Sequence, residues 1–237
     1  MRVEFDPSEF DIDLSDFAKH FSPIAGKFGM KWSLARSIYR PKMVILVSKH
    51  DHCLVDLLYR HQSGELACDI PLIISNHPDN KPLADFYQIP FFVVSVPKES
   101  KREAEQKILG LLKQHQPDFL VLARYMQILS NEFVNEYPQR IINIHHSFLP
   151  AFVGAKPYHQ AFARGVKLIG ATSHYVTEVL DDGPIIEQDV VRISHRDSVD
   201  DLLQKGRDLE KVVLSRAVRW HIENRILLYG NKTVVFD

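Results

Sequence analysis

Short unbroken apolar runs alternate with stretches of helical period along most of the chain. Residues 43–47, 72–75, 91–96, 119–123 and 141–144 carry apolar side chains with no in/out alternation, which predicts strands buried on both faces. Between them, 54–61, 99–116 and 131–137 repeat apolar residues at helical spacing and predict amphipathic helices. This rhythm predicts an α/β fold, a Rossmann-like, mostly parallel sheet with helices on both faces. After Lys167 the rhythm changes. Residues 168–177 and 184–191 predict two strands joined through Leu180-Asp-Asp-Gly183, an antiparallel extension at the sheet's edge, and 198–224 predict a long closing helix.

The first forty residues follow another pattern. Residues 1–5 predict a strand, 14–28 a helix and 31–38 a second strand, ending at Arg40-Pro41. A β-α-β piece this short buries too little surface to be stable alone. The expected division is therefore 1–40, an appendage, and 41–237, the main domain.

Composition narrows the function classes. With 237 residues, 45% hydrophobic and 25% charged, the chain suits one large domain with a small addition. A net charge of -1 gives no electrostatic reason to expect nucleic acid or an acidic membrane as a partner. The two cysteines, Cys53 and Cys68, form no closely spaced pair, which points to a reducing, cytoplasmic setting. The apolar runs are too short to span a bilayer, and the amino terminus lacks a signal-peptide core. No dinucleotide fingerprint, phosphate loop, serine elbow or H-E-x-x-H occurs.

The candidate chemistry lies at the ends of the later strands. Asn143 and His145, two apart on an extended segment, share one face, and Asp181 follows in the turn between the last two strands. A carboxamide can donate to a developing oxyanion, an imidazole can move protons, and a carboxylate can order water and stabilise imidazolium. On spacing alone, Asn-x-His is more often a capped loop, and Asp181-Asp182-Gly183 is a good turn in its own right. His146 points to the opposite face and reads as structural; His174 reads as a support to the site. His50-Asp-His-Cys53 offers zinc-type ligands without the second pair that structural zinc needs, so no metal is expected, and its polar side chains are expected to cap the next helix.

Three separated motifs carry a family resemblance. Asn143-x-His145 with Ser147-Phe-Leu-Pro150, Tyr125-Met-Gln-Ile-Leu-Ser130 before it, and the run from His174 to Pro184 after it resemble the formyltetrahydrofolate-handling superfamily. Within it, Ser48-Lys-His-Asp-His-Cys-Leu54 and Ile74-Ser-Asn-His77 are similar to the formyltetrahydrofolate deformylase family. The likeness implies a formyltransferase fold from Pro41 onward, preceded by a partial ACT-like β-α-β segment, the second half of a domain whose first half is absent. It implies hydrolysis of 10-formyltetrahydrofolate to tetrahydrofolate and formate, supplying formate for purine biosynthesis and balancing one-carbon folate pools.

The resemblance also assigns residues. Asn143, His145 and Asp181 would be catalytic. Met126, Gln127, Ile128 and Leu129 would form one wall of the pterin pocket, and Val176, Thr177, Glu178, Val179 and Leu180 the other. Relatives commonly carry Arg where this chain has Gln127, so no charged contact to the folate tail is expected there. The implied enzyme is a homo-oligomer whose partner is a small folate and which holds no tightly bound cofactor. Alternatives are a formyltransferase to a glycinamide ribonucleotide-type amine or, from Phe152-Val-Gly-Ala-Lys-Pro157, to initiator tRNA, and a non-catalytic folate-binding or ACT-type sensory module. The glycine-free Lys49-His-Asp-His-Cys53 loop argues against a phosphate pocket for such an acceptor.

Overall fold

The structure, a computed structural model, describes residues 1–151 and 157–236. The tRNA-enzyme likeness around Phe152 therefore falls mostly outside the described residues. The chain divides into two compact units, Met1–Tyr39 and Arg40–Asp237.

The larger unit is built on a seven-stranded sheet of order β3-β2-β1-β4-β5-β6-β7. Its strands are β1 (Met43–Val47), β2 (Ile73–Ser75), β3 (Phe91–Val93), β4 (Phe119–Ala123), β5 (Ile141–His145), β6 (Leu168–Tyr175) and β7 (Ile185–Arg192). The first five are parallel; β6 runs antiparallel to β5, and β7 to β6. The fold is thus the mostly parallel, helix-covered sheet that the apolar rhythm predicts.

The missing in/out alternation has a direct cause. In β1, Met43, Ile45 and Val47 pack with Leu54 and Leu57 of α2 (His52–Gln62) and with Val213 and Leu214 of α7 (Val199–Ile222). The intervening Val44 and Leu46 pack on the other face with Ile108 and Leu112 of α4 (Lys101–His115) and Phe133 of α5 (Asn131–Glu136). Both faces of the strand are covered, so every position is apolar, and each such side chain contributes roughly 1.5–3 kcal/mol of burial. At the edge the rule relaxes. β3 ends at Val93 rather than Val96, and Phe92 and Val93 are exposed, because a marginal strand has a neighbour on one side only.

Three elements lie outside the sequence expectation: α3 (Lys81–Phe86), α6 (Pro157–Arg164) and a hairpin of β8 (Ile226–Tyr229) and β9 (Lys232–Val235). The helices are six and eight residues long, too short for a periodic pattern to emerge. α7 begins at a capping box in which Ser198 and Asp201 satisfy each other's backbone donors, and it runs 24 residues.

The amino-terminal unit corrects the β-α-β expectation. It holds one helix, α1 (Phe17–Lys27), and a short 3-10 turn at Pro7–Glu9, with no strand at 1–5 or 31–38. The ACT-like reading is therefore not supported by its secondary structure. Both segments lack a ladder partner, and an unpaired strand leaves its backbone groups without partners. The unit organises itself instead around stacked aromatics: Phe5, Phe10 and Phe17 stack, and Trp32 meets Phe17 and Phe21 edge-on.

Candidate active site

The strand order reverses between β1 and β4, so the loops after these two strands part and open a crevice beyond their carboxyl ends. β5 lies alongside β4 and delivers its last residues to the same edge. Alternation places Ile142 and Ile144 toward α2 and α7, and Asn143 and His145 toward the other face.

Asn143 and His145 meet two groups from later in the chain. Asn143 pairs directly across the ladder with His174 of β6, and its Nδ2 lies 3.2 Å from His174 Nε2. His174 Nδ1 lies 2.9 Å from the Tyr175 carbonyl, which can only accept. The proton of neutral His174 therefore sits on Nδ1, and Nε2 accepts one amide hydrogen of Asn143, leaving the second free to face the site. His174 thus contacts the Asn143 amide directly. His145 Nδ1 stands 3.3 Å from Asp181 Oδ2, and His174 Nε2 3.7 Å from Asp181 Oδ1. Burial alone would raise the Asp181 pKa, but hydrogen bonding from His145 and His174, and their charge when protonated, hold it well below the ordinary carboxylate range. His145 is buried, and its Nε2 has no hydrogen-bond partner among the described residues. A donor or acceptor left bare at depth is costly and calls for a partner that the protein itself does not supply.

The Asp181 turn is held in an unusual shape. Asp181 has φ 57°, a left-handed conformation that Asp tolerates better than most residues. Gly183 is required beside it, since a Cβ there would come within 1.7 Å of the Tyr175 carbonyl oxygen. Asn231, in the turn of the β8–β9 hairpin, donates to the Asp182 carbonyl at 2.9 Å, and Thr233 donates to the carbonyl of Ile185 at 2.6 Å. The hairpin thus props the turn that carries Asp181. The pair Gly230-Asn231 is a recognised hairpin signal, so this contribution was legible in the residues and missed.

The segments expected to flank a pterin follow β4 and β6. After β4, Met126 N donates to Ser48 Oγ, and Ser130 N donates to the buried carboxylate of Glu105. These bonds pin both ends of a loop whose Met126 and Ile128 are exposed, Gln127 half-buried, and Leu129 packed on the core. On the opposite segment Val176 packs on the same core cluster, Thr177 is half-buried, and Val179 and Leu180 are exposed. Glu178 accepts from Asn135 Nδ2 at 2.9 Å, tying that segment to α5. The exposed apolar side chains belong to two anchored loops, an arrangement suited to a flat heteroaromatic.

A second buried polar cluster was not anticipated. His52 does not cap α2, and the N-cap Asp51 makes no side-chain cap bond either. Instead His52 Nε2 lies 2.8 Å from Glu210 Oε2 of α7, Tyr158 donates to Glu210 Oε1 at 2.8 Å, and Arg124 Nε lies 3.3 Å from Oε2. Burial would raise the Glu210 pKa, but these three partners hold it below its ordinary value. His52, Cys53 and Glu210 offer ligand atoms within 4.8 Å of one another. The nearby guanidinium opposes a cation, and burial followed by the charge of Glu210 pushes the Cys53 thiol well up, away from the thiolate that metals require.

Comparison with known proteins places this geometry. Residues 41–218 match the family profile described as formyl transferase. The chain is 56% identical over 99% of its length to formyltetrahydrofolate deformylase of Synechocystis, covering 82% of that protein, and 49% identical over its full length to that of Bacillus subtilis, covering 79%. Among solved structures, the formyltetrahydrofolate deformylase of Pseudomonas syringae superposes with a TM-score of 0.93 at 54% identity, over 96% of this chain and 76% of that one.

Proposed function

The chain belongs to the formyl transferase family and, within it, to the formyltetrahydrofolate deformylases, and from that membership we propose that it hydrolyses 10-formyltetrahydrofolate to tetrahydrofolate and formate. The observation that carries the residue assignment is the bare Nε2 of buried His145, flanked by the amide of Asn143 and backed by Asp181.

In this mechanism the pterin lies between residues 126–129 and 176–180, which brings the N10-formyl group to the end of β5. With ionised Asp181 beside Nδ1, neutral His145 carries its proton there and presents Nε2 as the base. Nε2 takes a proton from water as the water oxygen bonds to the formyl carbon. The free amide hydrogen of Asn143 donates to the oxyanion, an interaction whose loss typically costs on the order of 10²- to 10³-fold. His145 then returns the proton to N10 as the C–N bond breaks. The products are tetrahydrofolate, formate and one proton to solvent.

No helix among the described residues is long and apolar enough to cross a membrane. Two buried free thiols fit the reducing, cytoplasmic setting we assign. Assembly of several copies is also part of the proposal; the exposed Val3, Ile24, Phe28, Met30 and Ile38 of the amino-terminal unit supply apolar surface for it. The test of function is incubation with 10-formyltetrahydrofolate, with and without glycinamide ribonucleotide, measuring formate and formylated product. Formate release independent of the amine is expected. Stoichiometric formylation of the amine, with formate suppressed, would overturn the hydrolase reading.

A further inference from the structure

One group of buried donors has no part in the chemistry above. Arg124, the first residue after β4, is nine-tenths buried, and neither its Nε nor its Nη1 has a hydrogen-bond partner among the described residues. Its backbone sits at φ 60°, a conformation that residues with a side chain seldom adopt. Burying a cation with bare donors and adding backbone strain are both costly, and such costs persist where a site needs them.

The guanidinium lines a cavity of about 170 Å³ at the point where the strand order reverses. Among its lining groups Arg124 and Arg207 are cationic and Glu210 anionic, two positive charges against one negative. His50 and His146, which also line it, are both held below their ordinary pKa by burial first and then by Arg124. Glu210 is already occupied by Tyr158 and His52. Tyr158 reaches it only because α7 carries Gly206 at that point, where a Cβ would come within 2.3 Å of the phenol ring. Arg124 itself keeps Nε 3.3 Å from Glu210 Oε2, so the positive charge left over is carried by the rest of its guanidinium and by Arg207.

We propose that this cavity binds a small monovalent carboxylate, and that its occupant is the formate released at His145. The second half rests on the hydrolase reading. His146 links the two places, because it follows His145 in the chain, its ring lies 5.3 Å from that of His145, and it turns to the opposite face to line the cavity. A planar guanidinium matches a carboxylate in shape and charge. Formate has three heavy atoms, which limits its affinity to about the millimolar range even in a well-made site. A product held that weakly leaves readily.

The test uses the full chain and two readouts, the linewidth of [13C]formate without folate and inhibition of turnover by added formate. Saturable formate binding at millimolar concentration is expected, weakened about tenfold or more in Arg124→Gln and Arg124→Lys and about threefold in Arg207→Gln. The lysine variant keeps a charge beside Glu210, and the exposed Arg207 is open to change, so one folded variant at least is secured. Formate binding unchanged in a folded Arg124 variant would overturn the proposal. So would saturation by inorganic phosphate at micromolar concentration with none by formate, which would point to a phosphorylated acceptor. If turnover is absent while formate binds in an Arg124-dependent way, the hydrolase reading fails and the anion site stands. Turnover without Arg124-dependent formate binding gives the reverse.

Discussion

Asp181 and Glu210 are two carboxylates in the same domain, each gripped by histidine and each held below its usual pKa against the opposing effect of burial. They differ in what their partners leave open. Around Asp181 the unmatched atom is His145 Nε2, a group that can take or give a proton. Around Glu210 it is the Arg124 guanidinium, which can only donate. One arrangement suits bond-making and the other suits holding an anion. The elements that supply them differ as well: Asp181 stands in a turn propped by Asn231, whereas Glu210 projects from the middle of a 24-residue helix.

That contrast predicts where each substitution will be felt. Asp181→Asn should lower turnover by roughly 10²-fold or more while folate binding stays within a few fold, since the electrostatic partner of His145 is lost. Turnover near that of the native chain would sink its assignment. Glu210→Gln should instead register in folding, because it leaves Arg124 buried without a counter-charge; a loss of about 3 kcal/mol in urea unfolding is expected. A variant as stable as the parent would mean that Arg124 needs no carboxylate beside it.

His146 lies between the two centres and sharpens the comparison through pH. Burial, then the charge of Arg124, lowers its pKa from 6.5 to about 4. Between those values the unfolded chain binds more protons than the folded one, so its contribution to stability is present above 6.5 and is lost as the pH falls toward 4. About 2 kcal/mol of stability should disappear between pH 7 and pH 5, and His146→Phe should flatten that part of the profile. An unchanged slope in the variant would assign the acid sensitivity elsewhere. The smallest effects are expected at the turn itself. Asn231→Ala removes one hydrogen bond to the Asp182 carbonyl and should reduce turnover about threefold to tenfold, whereas Asp182→Asn should stay within about twofold. Equal effects from Asp181→Asn and Asp182→Asn would erase the distinction between the two neighbours.

The primary sequence determined the sheet and the placing of Asn143 and His145 on one face of a strand. Strands covered on both faces must be apolar at every position, so β1, β4 and β5 were legible as runs, and the long α7 announced itself by its period and its cap. Asn143 and His145 were legible because alternation along one strand is local geometry. The tertiary structure decided the rest. The amino-terminal segment has the apolar spacing of β-α-β, but strands need partners, and without them the aromatics stacked instead. Arg124 looks like any charged residue at a strand end. Only the convergence of α2, α6 and α7 from positions 52, 158 and 210 buries it and leaves its donors bare, and contacts across such separations follow no local period.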